Sequence, residues 1–319
     1  MNHIQVKIEE GAPRTRIDVY VAKNLGLATR SQLKERIAEI RMDGKTVKPS
    51  RLIEPGKVLE IFYRPREEPT FQGENLPLKI LYEDNRVVVL DKPAGMVVHP
   101  GCGVYSGTLV QGLLYHIQNL KDAFPEEPIR PGIVHRLDRD TSGVIITAKD
   151  SEALEFLSAQ FRKKTVRKLY LALVKGSPPR REGILRGYIS RDPIHRKRFR
   201  ILPVTREEAK KEIPGKYAVT RFQVLKTFSW GSFVLLQPHT GRTHQLRVQL
   251  QALGCPIWGD PIYSRAEKLP FNVLQKSLFL HAYLLEVVLP GETIPRRFYA
   301  PLPERFKVVL RGEAQNLGF

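Results

Sequence analysis

Apolar residues return along this chain at two different spacings, and the changes between them mark its elements. Ile17, Val21 and Leu25 recur every fourth residue, as on one face of an α-helix. Thr29-Arg30-Ser31-Gln32 has the T-x-x-Q form of a capping box, and Leu33, Ile37 and Ile40 follow at helical spacing, so a second helix is predicted there. Asp43-Gly44 reads as a turn, Val47 opens a short strand, and Val58 to Tyr63 forms another after Pro55-Gly56. Two helices and a hairpin make a small module over residues 1–66. The stretch 64–77 holds three prolines, a glycine and five charges, the composition of a connector, with the linker proper at 67–77.

From residue 78 short apolar runs dominate. Leu78 to Tyr82 and Val87 to Leu90 flank a turn at Glu83-Asp84-Asn85 and read as strands, as does Val144-Ile145-Ile146. Thr108 caps a predicted helix with Leu109, Val110, Leu113 and Leu114 inward, and Asp150 starts one carrying Leu154, Leu157 and Phe161. Further strands are predicted at 166–175, 217–227, 232–238 and 279–289, and a helix over 243–253 that buries Leu246, Leu250 and Leu253. Strands outnumber helices and do not alternate regularly with them. The second domain, 78–319, is therefore expected to be mixed α+β rather than a doubly wound sheet.

Composition bounds the function. With 42% hydrophobic and 27% charged residues, the 319-residue chain has the make-up of a soluble globular protein. No apolar run approaches the roughly 18 residues that span a bilayer, and the first residues have no signal-peptide character, so a cytoplasmic location is expected. Cys102 and Cys255 form no C-x-x-C pair, which argues against a zinc site or a disulfide framework. Lys and Arg number 52 against 33 Asp and Glu, a net charge of +19. A field of that sign attracts polyanions and makes nucleic acid the leading partner. The basic residues are spread over several elements rather than a tail, as on a folded binding surface. Nothing in the pattern requires more than a monomer.

The densest chemistry lies in Val134-His135-Arg136-Leu137-Asp138-Arg139-Asp140-Thr141-Ser142-Gly143, just before the apolar run from Val144. His135 to Asp138 looks superficially like the H-R-D loop of protein kinases, but a Gly-rich phosphate loop at the right place and a D-F-G are missing. There is no G-x-S-x-G elbow and no H-E-x-x-H helix. The histidines are dispersed, and His244 and His281 are expected to be hydrogen-bonded structural residues rather than metal ligands. No dinucleotide fingerprint is present either, so no metal and no cofactor is expected. Either Asp138 or Asp140 can supply a reactive carboxylate.

Three further segments join that loop: Asp91-Lys92-Pro93-Ala94-Gly95 with Met96 to Pro100, Lys168-Leu169-Tyr170-Leu171-Ala172-Leu173-Val174, and Thr240-Gly241-Arg242-Thr243-His244-Gln245-Leu246-Arg247. In this order and spacing the four closely resemble the RluA family of pseudouridine synthases. Pro256 to Tyr263 and Leu280-His281-Ala282 extend the match, which covers about residues 78–302. The first module resembles the S-four (alpha-L) RNA-binding domain, through Arg16-Ile17-Asp18, Ser31-Gln32-Leu33-Lys34, Gly44-Lys45-Thr46-Val47 and Pro55-Gly56-Lys57-Val58. The resemblance implies a mainly antiparallel-sheet catalytic domain behind a small helix-and-hairpin domain. It also implies isomerisation of uridine to pseudouridine in RNA, with large-subunit ribosomal RNA expected as substrate.

That reaction moves one bond from nitrogen to carbon within the nucleotide, with no redox change, and needs a carboxylate acting as nucleophile or base. By resemblance that group is Asp138, with Asp140 stabilising the Thr141-Ser142 turn. Burial favours a neutral carboxyl and a paired guanidinium reverses this; by the same resemblance that arginine belongs to the Thr240-Gly241-Arg242-Thr243-His244-Gln245 segment, so Arg242 is expected as the partner of Asp138. Tyr170 is expected to stack on the target base. Because the uracil must leave its stack, Arg136 is expected to assist flipping, or alternatively to shape the loop by a salt bridge. RNA contacts are further expected at His135, at Arg30, Lys34, Arg36 and Lys45 of the first module, and at Arg162, Lys163 and Lys164. The first chemical step stays open between attack on the anomeric carbon, attack on the uracil ring and removal of a sugar proton. The alternatives are a non-catalytic RNA-binding or ribosome-assembly protein on the same fold, or the same activity on transfer RNA.

Overall fold

The computed structural model describes residues 2–27, 33–64, 72–101, 103–195, 197–202, 214–264 and 278–316. The chain divides into two compact units, Met1–Thr70 and Phe71–Phe319.

In the first unit, β1 (Asn2–Lys7), α1 (Ile17–Lys23), α2 (Leu33–Arg36), β2 (Ile37–Met42), β3 (Lys45–Thr46) and β4 (Val58–Tyr63) follow in order. The strands form an antiparallel sheet in the order β1-β4-β2-β3. The second helix expected to reach Ile40 stops at Arg36, and Ile37 to Met42 is a strand. Leu33, Ile37 and Ile40 satisfy a helical period, but Ile40 and Met42 also satisfy the two-residue period of a pleat. Pairing Ile40 with Ile61 and Met42 with Leu59 buries both on β4, and that non-local gain decides.

The second unit holds β5 (Ile80–Glu83), β6 (Val87–Lys92), α3 (Leu109–His116), β7 (Ser142–Ala148), α4 (Ser151–Lys163), β8 (Arg167–Lys175), β9 (Glu182–Arg191), β10 (Phe199–Leu202), β11 (Lys216–Phe228), β12 (Gly231–Pro238), α5 (Gln245–Ala252), β13 (Leu280–Val287), β14 (Arg296–Tyr299) and α6 (Glu304–Asn316). Among the described residues ten strands make one sheet, ordered β10-β9-β11-β12-β8-β13-β7-β6-β5, with β14 on β13. Its pairings are antiparallel except β13 with β7. The unit is thus the mixed, mainly antiparallel α+β domain expected.

The buried strands and the helix starts follow from the sequence. Every residue of β7 is buried, and so are Val87 to Leu90 of β6, as in strands covered on both faces. Each such Val, Ile or Leu contributes about 1.5–3 kcal/mol by leaving water. The helices begin where the sequence caps them: Thr108 and Gln111 form a reciprocal capping box on α3, and the Asp150 carboxylate accepts from the Ala153 N–H of α4. The end of the expected linker is docked along α3. Glu74 N–H donates to Gln111 O at 2.9 Å, and a Cβ on Gly73 would lie 2.6 Å from the Tyr115 backbone nitrogen.

Candidate active site

The loop ahead of β7 is held from beneath by a buried lysine. Lys92 has no exposed surface, and its Nζ donates to the carbonyls of Pro93, Met96 and Arg139 at 2.8, 2.8 and 3.0 Å. Burial lowers its pKa to about 7, against the opposing charges of Asp140 and Asp138. Arg139 O also accepts the Gly95 N–H, and Thr141 N–H donates to Asp138 O at 3.1 Å, closing the turn. Gly143 then enters the sheet at φ 117°, where a Cβ would stand 2.1 Å from Ala282 O of β13. Only glycine allows that approach. Ser142 Oγ lies 2.9 Å from His281 Nδ1 and accepts from Arg305 Nη2 at 2.8 Å, so His281 is a structural residue.

His135 belongs to the same scaffold. Its Nε2 accepts the Ile146 N–H at 3.2 Å and its ring stacks on Phe161 at 4.6 Å. Burial and the nearby Lys168 charge lower its pKa to about 3, so the ring is neutral. The bonded nitrogen of His135 thus serves the backbone of β7.

The guanidinium paired with Asp138 is Arg247, and this corrects the expectation that it is Arg242. Arg247 Nη1 donates to Asp138 Oδ2 at 3.1 Å, while Nε and Nη2 grip both oxygens of Asp260 at 2.8 and 2.9 Å. Asp260 is buried and also accepts the N–H groups of Ile262 and Tyr263. Burial opposes the Arg247 charge, but the hydrogen bonds and charge of Asp260, then of Asp138, outweigh it and raise the pKa. Burial likewise works against the Asp260 carboxylate, and Arg247 holds its pKa below the usual range. Arg247 is therefore a fixed cation, oriented by one carboxylate and presented to another. Asp138 Oδ1 has no hydrogen-bond partner among the described residues.

Arg242 instead donates through Nε to Tyr217 O at 3.2 Å, on the loop between β12 and α5. That loop is shaped by the buried Gln245, whose Oε1 accepts from Thr240 Oγ1 at 2.7 Å and from Arg242 N–H at 3.0 Å. His244 adopts φ 55°, a left-handed conformation uncommon outside glycine. Its Nδ1 lies 2.9 Å from the Tyr263 hydroxyl, which accepts the Phe199 N–H at 2.8 Å, and its Nε2 lies 3.9 Å from Asp138 Oδ2. Burial, then Asp138 in opposition, leaves the His244 pKa lowered.

Asp138, Tyr170, Arg242 and Arg247 line one cavity of about 130 Å³, together with Arg136 and His244. Asp140 is not in its lining and pairs with Arg139 at 3.1 Å, which separates the two carboxylates. Burial and the charge of Asp138 push the Tyr170 pKa up, so its phenol keeps its proton at neutral pH. Arg136 is exposed and has neither hydrogen bond nor ion pair among the described residues, which leaves no salt bridge there to shape the loop. Of the other basic residues, Lys45, Lys163 and Lys164 are exposed, and Arg162 is exposed but paired with Glu155. Arg36 is half-buried and donates through Nη1 to Leu27 O inside its own unit. Arg30 and the side chain of Lys34 lie outside the described residues. No group of three or more His, Cys, Asp or Glu that could hold a metal occurs among the described residues, and no described helix is long and apolar enough to cross a membrane.

Arg247 and Asp260 are the site residues that sequence reasoning passed over, although both stand in quoted segments. The available signal was an arginine within Leu246-Arg247-Val248-Gln249-Leu250, where every position is buried. A charge kept on such a face needs a buried partner.

Residues 86–252 match the family model described as RNA pseudouridylate synthase. A protein of Borreliella burgdorferi named ribosomal large subunit pseudouridine synthase D is 40% identical over 301 residues, 92% of this chain and 88% of that protein. An uncharacterized RNA pseudouridine synthase of Bacillus subtilis is 36% identical over 99% of this chain and its own full length. The solved structure of human RNA pseudouridylate synthase domain containing 4 superposes with a TM-score of 0.55 at 29% identity, covering 73% of this chain and 92% of that one.

Proposed function

The chain belongs to the RNA pseudouridine synthase family and is an isomerase of uridine in RNA, and we propose that its substrate is large-subunit ribosomal RNA with Asp138 as the reacting carboxylate. The observation that carries the second part is the ion pair of Asp138 Oδ2 with a buried, carboxylate-anchored Arg247, which leaves Oδ1 unengaged at the cavity. The first part is supported by the large-subunit names of relatives such as the Borreliella burgdorferi protein.

In the reaction the bond between N1 and C1′ breaks and one between C5 and C1′ forms, while C5 loses a proton and N1 gains one. Asp138 starts this as nucleophile or base, and the charge-assisted hydrogen bond from Arg247 aims it. Tyr170, held protonated, packs on the base and acts as a proton donor rather than a base. Arg136, unpaired beside the cavity, takes the space the base vacates. The first unit docks RNA as an S-four-type domain, through exposed groups such as Lys45, and the enzyme works as a cytoplasmic monomer.

Carbodiimide mapping of pseudouridine in ribosomal RNA, from cells with and without the protein, tests the substrate. One or more large-subunit sites should vanish without it. Loss confined to transfer RNA, or no loss, would contradict the ribosomal assignment.

A further inference from the structure

A second and larger cavity adjoins the one around Asp138. It measures about 500 Å³, within the range of small-ligand sites, and the two share Arg136, Lys168, Tyr170 and Arg242 as walls. Arg162 and Lys164 complete its charged lining, and among the described residues no carboxylate contributes to it.

The basic run 162–168 does not present its charges evenly. Arg162 is paired with Glu155, and Arg167 lies 3.9 Å from Glu286. Lys168 is half-buried in the wall, with its Nζ 5.7 Å from the centre of the Phe161 ring, and has no hydrogen-bond or ion-pair partner among the described residues. Burial lowers its pKa, and no carboxylate opposes that shift. A cation removed from water without a counter-charge costs the free protein stability. Such a cost is typical of a site whose anion arrives with the ligand. Lys168 also stands two residues before Tyr170 on β8, so both side chains project from the same face of the strand. A nucleotide turned into the first cavity brings its flanking backbone with it.

We propose that the second cavity seats a phosphodiester flanking the target uridine, with the Lys168 ammonium as its counter-charge and Arg136 and Arg242 at the passage between the two cavities. The inference rests on the RNA substrate given above, and it sets Lys168 apart from the paired or exposed cations of the same run.

The test is the salt dependence of binding of the full-length protein to a large-subunit ribosomal RNA transcript. Wild type, Lys168→Gln and Lys168→Arg are compared by filter binding, and their unfolding temperatures are measured without RNA. Lys168→Gln should bind about tenfold more weakly at low salt, with a log–log slope shallower by about 0.7, the share of one contact to a single strand. Lys168→Arg should keep the wild-type slope, and Lys168→Gln should unfold no lower than wild type. An unchanged slope in Lys168→Gln, or a lowered unfolding temperature in that variant, overturns the proposal. Binding is read without turnover, so the two readings fail separately. A wild type that binds but does not isomerise counts against the assignment of ribosomal RNA as substrate alone, and equal binding by wild type and Lys168→Gln counts against this subsite alone.

Discussion

Replacing Arg247 by methionine removes the cation between two carboxylates while keeping the length of the side chain. Asp138 is partly exposed and can regain water, but the Asp260 side chain has 0% exposure. Two of its hydrogen bonds, from the N–H groups of Ile262 and Tyr263, survive; the bidentate pair does not. Leaving one partner of a buried ion pair uncompensated costs about 3–5 kcal/mol. For a unit of this size each kcal/mol lowers the unfolding temperature by about 2–4 °C, so Arg247→Met should unfold about 6–20 °C below wild type. Arg242→Ala, which loses one bond to Tyr217 O, should stay within about 0.5 kcal/mol. The chain's two tryptophans, Trp230 and Trp258, both lie in the second unit, so their fluorescence reports this unfolding selectively. The pH dependence has a definite sign. The Asp260 pKa is lowered in the folded protein, so the pair's stabilisation is present above the ordinary carboxylate range and lost as pH falls through the folded value. The gap between wild type and Arg247→Met should therefore narrow in acid. A loss below about 1 kcal/mol in Arg247→Met, or an equal loss in Arg242→Ala, would refute the assignment of the anchoring cation.

Lys92→Met leaves the carbonyls of Pro93 and Met96 without their donor, at about 1–3 kcal/mol each, and should unfold early in urea. Because the folded Lys92 pKa lies near 7, below its unfolded value, wild type should gain stability relative to this variant as pH rises from about 7 toward 10. Gly143→Ala forces a Cβ against Ala282 O and should destabilise the junction of β7 and β13, read as faster hydrogen exchange in those strands; unchanged protection would contradict the close approach. Tyr263→Phe removes the oxygen between Phe199 N–H and His244 Nδ1, and should lower kcat about tenfold while leaving RNA affinity unchanged. An equal loss of affinity would move Tyr263 from orienting His244 to contacting RNA.

The fold was most legible where one period alone satisfied the residues. Val144 to Ile146 is an apolar run too short for a helix and became the fully buried strand β7, and Thr108 with Gln111 became the capping box of α3. Residues 33–42 failed because two periods fit them and the partner that decides, β4, lies some twenty residues away. Strands β9 and β10 carry alternations weakened by exposed or half-buried apolar residues such as Ile184 and Phe199, and gave little local signal. At the site, the loop from His135 to Gly143 and the strand bearing Tyr170 could be chosen by their company of motifs. Which of two arginines five residues apart turns toward Asp138 could not. That depends on Asp260, brought in from beyond α5 to meet the buried face of that helix.

The central claim is that Asp138 performs the chemistry and Arg247 aims it. Its most direct test is turnover by purified Asp138→Asn on a large-subunit ribosomal RNA transcript, with pseudouridine read by carbodiimide mapping. Asparagine keeps the shape of the side chain, and Arg247 keeps Asp260, so folding and RNA affinity should match wild type within about twofold. Pseudouridine should fall below detection at every site that wild type modifies. Formation of pseudouridine at those sites at a rate within tenfold of wild type would contradict the account.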